Sequence, residues 1–308
     1  MPSQKRVNAD RSRPHRSRPN ADTPSPARKP KLGQHFLQDH SAAHRIVEAL
    51  GDVSARTVIE IGPGRGTLTE LLAPRAHRLI AIEIDRLLAA QLRMQYARTA
   101  NVEIIEADVL TVNVPGLLRG RPEPLLARPA TLPRADVIGN LPYFLTSDIL
   151  LRLFDAHEVV ERVVVMVQLE VADRITAAPG TSEYGLLSAT AQLHGRVEKL
   201  FTLFPGAFAP PPKVHSAVLR LTLAPSWEEL GVRPAPFIDF LKLSFAHKRK
   251  TLVNNLRGPY REEHLRSALK MAGIRPDVRA EALSLEQAAQ IFRALWPGRP
   301  QSLASLPL

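Results

Sequence analysis

The sequence predicts an α/β fold, a parallel sheet covered on both faces by helices, followed by a small helical C-terminal domain. Three observations lead there. Short apolar runs at residues 57–62, 79–85, 102–108 and 136–140 alternate with segments of helical spacing, the pattern of strands buried on both faces. A glycine cluster directly follows the first run, where such sheets turn from strand to helix. After Pro225 the short runs give way to longer helical segments.

Each element follows in order. The 308-residue chain is long enough for one large or two modest domains. Its net charge of +11 is unevenly placed, because residues 1–31 carry nine basic side chains, two acidic ones and six prolines. That stretch predicts a disordered basic arm suited to polyanions, with ordered structure beginning near Leu32. Residues 41–50 have helical spacing, with Ile46, Val47 and Leu50 on one side. The strand at 57–62 leads into a helix beginning near Thr67, and the strand at 79–85 precedes helical 86–97. Residues 111–134 are a proline-punctuated loop with at most one short helix. A helix follows at 147–154, with Ser147 or Thr146 as its cap. A buried strand is expected at 162–170, with closing strands at 197–204 and 216–223. Continuous helix is expected over 236–256, then at 261–273 and 284–296. The domains are therefore 1–31 for the arm, 32–224 for the α/β part and 225–308 for the helical part.

Composition removes several function classes. With no cysteine, the chain has no disulfide, thiolate metal site or cysteine nucleophile. It has no run of 18 apolar residues, so a membrane span is not expected. His40 and His44 are four apart, but no acid completes a metal set. No G-x-S-x-G elbow marks a serine hydrolase.

The cofactor site is read from the glycines and two acids. Gly62, Gly64 and Gly66 permit a tight turn and close backbone approach to a ligand. The longer dinucleotide spacing fails at Thr67. Glu83 ends the second strand, 21 residues after Gly62, where a carboxylate can accept from ribose hydroxyls. Asp108 ends the third, where it can accept from an adenine amine. Glu60 and Asp85 are nearby acids read as helix caps or strand-end decoys. An acidic rim suits S-adenosylmethionine, which carries a sulfonium charge and no phosphate.

The acceptor site is Asn140-Leu141-Pro142-Tyr143, directly after the fourth strand. Adenine's exocyclic nitrogen is a poor nucleophile, since its lone pair is delocalised into the ring. Acceptors on its hydrogens, the Asn140 side-chain oxygen and the Leu141 carbonyl, favour a localised lone pair aimed at a methyl donor. Pro142 fixes the turn without a competing N–H, and Tyr143 can stack on the base.

These residues, with GQHFL at 33–37, VIEIGPGRGTLT at 58–69, IGNLPY at 138–143, QLEVADR at 168–174, FAPPPKVHSAVLRL at 208–221 and FAHKRKTLVNNL at 245–256, resemble the ribosomal RNA adenine N6-dimethyltransferases. The similarity is greatest to the bacterial branch that acts on two adjacent adenines of 16S rRNA. It implies a Rossmann-like S-adenosylmethionine-dependent sheet, with His35, Leu37, Gly62, Gly64, Glu83, Asp108 and Asn140 around the cofactor. It also implies Asn140, Leu141, Tyr143 and Phe208 at the adenine, and Lys248, Arg249 and Lys250 on RNA phosphates, beside Lys242 of the same helix. The implied partner is 16S rRNA in an immature 30S subunit, met by a cytoplasmic monomer. The resemblance leaves open a 23S enzyme of macrolide-class resistance and a non-catalytic assembly or transcription factor. His35 and Phe144 stand where asparagine is common in the family.

Overall fold

Strands that alternate with helices stack their carboxyl ends along one edge of a sheet, and that edge is the part of this fold that matters for function. The computed structural model describes residues 34–119 and 134–295, all within one compact unit. The expected arm, 1–31, and most of the loop at 111–134 lie outside the described residues.

The chain runs β1 (Phe36–Leu37), α1 (His40–Glu48), β2 (Thr57–Ile61), α2 (Thr67–Leu72), β3 (Arg78–Glu83), α3 (Arg86–Gln95), β4 (Val102–Glu106), α4 (Val114–Arg119), β5 (Ala135–Asn140) and α5 (Thr146–Asp155). It continues through β6 (Val160–Gln168), α6 (Leu169–Ile175), α7 (Leu186–His194), β7 (Gly195–Leu203), β8 (Phe208–Ala209) and β9 (Ser216–Leu223). The helices α8 (Pro234–Ser244), α9 (Leu252–Leu256), α10 (Glu262–Met271) and α11 (Leu285–Leu295) complete it.

Seven strands form one sheet in the order β4-β3-β2-β5-β6-β9-β7. From β4 to β6 every pairing is parallel, while β9 is antiparallel to both β6 and β7. The sheet is therefore mixed. Only β9 is reversed, and β7 again runs with the parallel strands; β9 meets β7 through a compact connection rather than a helical crossover. One apolar layer, including Ile59, Ile80, Val137, Val163 and Leu153, covers one face; another, including Val58, Leu79, Ile138, Val164 and Ile46, covers the other. A third cluster joins Phe237, Phe240, Leu256, Leu269 and Phe292 of the last helices to Tyr184 and Leu193 around α7.

Four local expectations are corrected. The helix expected over 236–256 breaks between α8 and α9. The Asn255 amide donates to the carbonyls of Ser244 and His247, at 2.6 and 3.2 Å, and the Thr251 hydroxyl accepts from Asn254 N–H to start α9. Consecutive Lys248, Arg249 and Lys250 therefore sit in a turn, and Lys242 belongs to a different element. Neither Thr146 nor Ser147 caps α5: Leu145 is the cap residue, without a side-chain bond, and the Thr146 hydroxyl donates to Pro142 O at 3.3 Å. The strand expected at 162–170 ends at Gln168, where α6 begins. Strand β4 ends at Glu106, so Asp108 lies beyond it; its carboxylate accepts from Leu110 N–H at 2.9 Å and caps a short 3₁₀ turn.

At the opposite edge, Asp136 is fully buried at the start of β5. It accepts from Arg56 at 2.6 and 2.9 Å and from Arg162 at 2.9 and 2.6 Å. Both arginines retain some exposure, so water screens the charges that removal of Asp136 would strand. Asp136→Ala should destabilise the fold by about 3 kcal/mol, the lower end for breaking a buried ion pair. Urea unfolding measures this, and a shift under about 1 kcal/mol would show the triad to be dispensable.

Candidate active site

The parallel pairing of β2 with β5 brings the two predicted half-sites together. Its register pairs Ile61 with Gly139, so Gly62 and Asn140 leave adjacent strands at the same edge. Gly139 is a site of forced proximity: a Cβ there would lie 2.4 Å from Ile61 O. Gly62 turns with φ +66°, in the left-handed region that favours glycine, and a Cβ on it would stand 3.6 Å from Asn140 O.

Around the glycine turn, Glu83 is 2% exposed. One carboxylate oxygen accepts from Gly64 N–H and the other from Asp85 N–H, both at 2.9 Å. Glu83 thus braces the turn and meets the next helix start, while Asp85 itself caps α3. The Leu37 carbonyl accepts from the Thr67 hydroxyl at 2.9 Å, which ties β1 to the start of α2. The Arg65 guanidinium lies 4.8 Å from the centre of the Phe36 ring.

At this edge Phe36, Leu37, Glu60, Gly62, Gly64 and Asn140, among others, line a small cleft. Its composition fits a cationic ligand that carries hydroxyls: glycines without side chains, apolar walls, the Glu60 carboxyl on the lining, and Glu83 held behind Gly64. Asp108 sits beyond the end of the next strand but one, on the same edge.

The acceptor half is built from three separate segments. The Asn140 amide nitrogen donates to His35 O at 2.7 Å. That contact fixes the amide, because its oxygen must then point away from the His35 carbonyl. Leu141 is buried, and its N–H donates to Met166 O at 3.1 Å. Tyr143 is half-buried, its hydroxyl 2.6 Å from Ser216 Oγ. Burial pushes the phenol above its ordinary range, and the Ser216 hydrogen bond partly opposes that. The His35 ring stacks on the Tyr143 ring with centroids 5.8 Å apart. Its Nδ1 lies 2.7 Å from Pro210 O and must donate, since a carbonyl only accepts.

Phe208, expected at the adenine, is buried in the core. It pairs with Leu37 between β1 and β8, is 3% exposed and belongs to the core cluster of that face. Lys248 donates to Ser182 O at 2.5 Å, and Lys250 N–H bonds His247 O, so the basic turn is anchored away from α8. Thus His35, Leu37, Gly62, Gly64, Glu83, Asn140 and Tyr143 converge on one edge, while Lys248, Arg249 and Lys250 form a separate patch.

Glu60 was read as a decoy, yet it lines the cleft. It is 1% exposed and accepts from the Thr69 hydroxyl at 2.7 Å. Burial, reinforced by the neighbouring Glu83 charge, pushes its carboxyl up to about 7. The available signal was an acid between Ile59 and Ile61, two residues before Gly62 of the glycine turn. Ser216 and Met166 carried no such mark, because their contacts depend on strand order.

The comparisons follow the geometry. A family model described as ribosomal RNA adenine dimethylase matches residues 26–296. The chain belongs to the ribosomal RNA adenine dimethylase family. It is therefore a methyltransferase with a Rossmann-like sheet, and this family and fold imply S-adenosylmethionine as cofactor. The chain is 58% identical over 274 residues to a "Ribosomal RNA small subunit methyltransferase A" of Koribacter versatilis, covering 89% of this chain and 96% of that one. Among solved structures, a dimethyladenosine transferase from Plasmodium falciparum matches with TM-score 0.70 and 23% identity, covering 86% and 99% of the two chains. The 23S rRNA methyltransferase ErmE matches with TM-score 0.62 and 27% identity, covering 84% and 99%. No described helix is long and apolar enough to cross a membrane.

The buried acid of this dimethylase-family cleft gives a pH test. A carboxyl raised from 4.5 to about 7 favours the folded state while protonated. Its contribution is fully present below pH 4.5 and is lost as pH rises through 7, a span of about 3 kcal/mol. Relative to wild type, Glu60→Gln should therefore gain stability across that window and level off above it. Parallel pH profiles in thermal unfolding of the ligand-free proteins would remove Glu60 from this role.

Proposed function

We propose that this chain dimethylates the N6 amine of two adjacent adenines near the 3′ end of 16S rRNA, within an immature 30S subunit. Four S-adenosylmethionine molecules are consumed, and the enzyme works as a cytoplasmic monomer. The carrying observation is the amide of Asn140, oriented by the His35 carbonyl beside the glycine turn.

Gly62, Gly64 and Leu37 line the cofactor's side of the cleft. Glu83 takes the ribose hydroxyls and Asp108 the adenine amine. When bound, S-adenosylmethionine supplies a methyl group on a positively charged sulfur. The target adenine must leave its stack to reach this edge. Tyr143 offers a ring for it, held by Ser216. The Asn140 oxygen and Leu141 carbonyl accept the amine hydrogens and aim its lone pair. Alignment dominates in such a displacement, so no strong base is needed, and the cationic product readily loses a proton. Phe208 is buried against Leu37, where it supports the wall of the pocket and the β1–β8 ribbon. Lys248, Arg249 and Lys250 hold RNA phosphates apart from the reacting base.

Methylation of one 23S adenine is the second reading, favoured by the ErmE likeness at 27% identity. The small-subunit relative at 58% identity supports the first more strongly. A non-catalytic role has no observation in its favour, since Glu83, Asp108 and Asn140 are all present.

Asn140→Ala should lower single-turnover methylation of unmethylated 30S particles about 10²–10³-fold, as loss of a preorganised transition-state contact does. Particle binding should change little, because RNA affinity is spread over phosphates and shape. Asn140→Asp keeps the acceptors but removes the donor to His35 O, so it too should be slow. Near-normal turnover of the alanine variant would reduce the tetrapeptide to a structural turn.

A further inference from the structure

Beyond Tyr143, the same sheet edge carries an aromatic pair that the reaction does not use. The β7–β9 register ends at Leu203 opposite Ser216, so Phe204 and His215 flank the last pair. The Phe204 ring is 71% exposed, and the His215 ring meets it edge-on with centroids 5.2 Å apart. Ser216, next in sequence to His215, is the residue that holds the Tyr143 hydroxyl. Ser216 stands on β9, two strands from Asn140, and Phe204 follows β7, one strand further. The aromatic pair therefore stands at the sheet edge that carries the acceptor ring, next to the residue that holds it.

We propose that Phe204 and His215 form a stacking subsite for the unpaired base next to the target adenine, a reading that rests on the RNA-adenine activity above. A large apolar ring left in water, and braced by a second ring, is a ready platform for a base. The adjoining cleft, about 640 Å³, has His215, Glu170, Asp173 and Glu183 on its walls with Arg174 and Lys213. Asp173 is paired with Lys199, which leaves Glu170 and Glu183 to accept from the amino groups of a base. The phosphates have their own path, since Glu183 adjoins Ser182, whose carbonyl holds Lys248 of the basic turn. The subsite therefore continues the acceptor site towards that turn. For two adjacent targets, it would hold one adenine while the other reacts.

Single-turnover methylation of unmethylated 30S particles, resolved for each adenine, tests this with the full chain and saturating S-adenosylmethionine. Phe204→Ala should lower kcat/KM about 5- to 100-fold, the range for losing one base–aromatic stack. Phe204→Trp should match or exceed wild type, and Phe204→Leu should stay near alanine. Cofactor affinity by calorimetry should be unchanged in all three. Particles reconstituted with an abasic nucleotide beside the target should make Phe204→Ala silent on one side. A leucine variant as fast as wild type, an unaffected alanine variant, or an alanine defect that persists at both abasic positions overturns the subsite. Wild-type protein that transfers no methyl group to adenine overturns the underlying activity, and the subsite with it.

Discussion

The close pairing of β2 with β5 is the constraint on which this site depends. Gly139 has no side chain because a Cβ would meet Ile61 O at 2.4 Å, and that contact lets the two strands set Gly62 beside Asn140. In the proposed reaction one strand supplies the turn for the cofactor, and the other supplies the amide for the amine. On that proposal a methyl group need only cross between neighbouring strand ends. The remaining parts hold this junction in place. Asp136 locks β5 to Arg56 and Arg162 at the far end, and the His35 carbonyl fixes the Asn140 amide at the near end.

The N-terminal segment at 34–39 has an unexpected share in this arrangement. Its backbone pairs with Phe208 and Ala209, its Leu37 carbonyl receives Thr67, and its His35 reaches both Asn140 and Tyr143. His35 was expected to line the cofactor pocket. In the fold its carbonyl and ring serve the acceptor residues directly, so one short segment couples the two halves. This also suggests why a histidine can stand where asparagine is common: its Nδ1 donates to Pro210 O and its ring stacks on one face of Tyr143.

Much of the fold was legible in the sequence because its strands are short, apolar and punctuated. The ends of β2, β3 and β5 fell where the glycines, Glu83 and Asn140 required. Other features depended on contacts between distant segments. The reversal of β9, the Tyr143–Ser216 bond and the burial of Phe208 follow from strand order, which periodicity does not encode. The run at 236–256 looked continuous because its apolar spacing persists. It breaks because Asn255 and Thr251 offer the backbone better partners than three adjacent cations in a helix would. Glu60 was dismissed because strand-end acids usually cap helices, whereas this one points inward to Thr69.

The central claim is a chemical one: methyl groups travel from S-adenosylmethionine to N6 of two neighbouring adenines of small-subunit RNA. Mass spectrometry of RNA from unmethylated 30S particles, incubated with the purified chain and isotopically labelled S-adenosylmethionine, tests it most directly. The account predicts four labelled methyl groups per particle, as two adjacent N6-dimethyladenines near the 3′ end of 16S rRNA. Label confined to a 23S adenine when 50S particles are supplied, or no labelled adenine in either subunit, would contradict it.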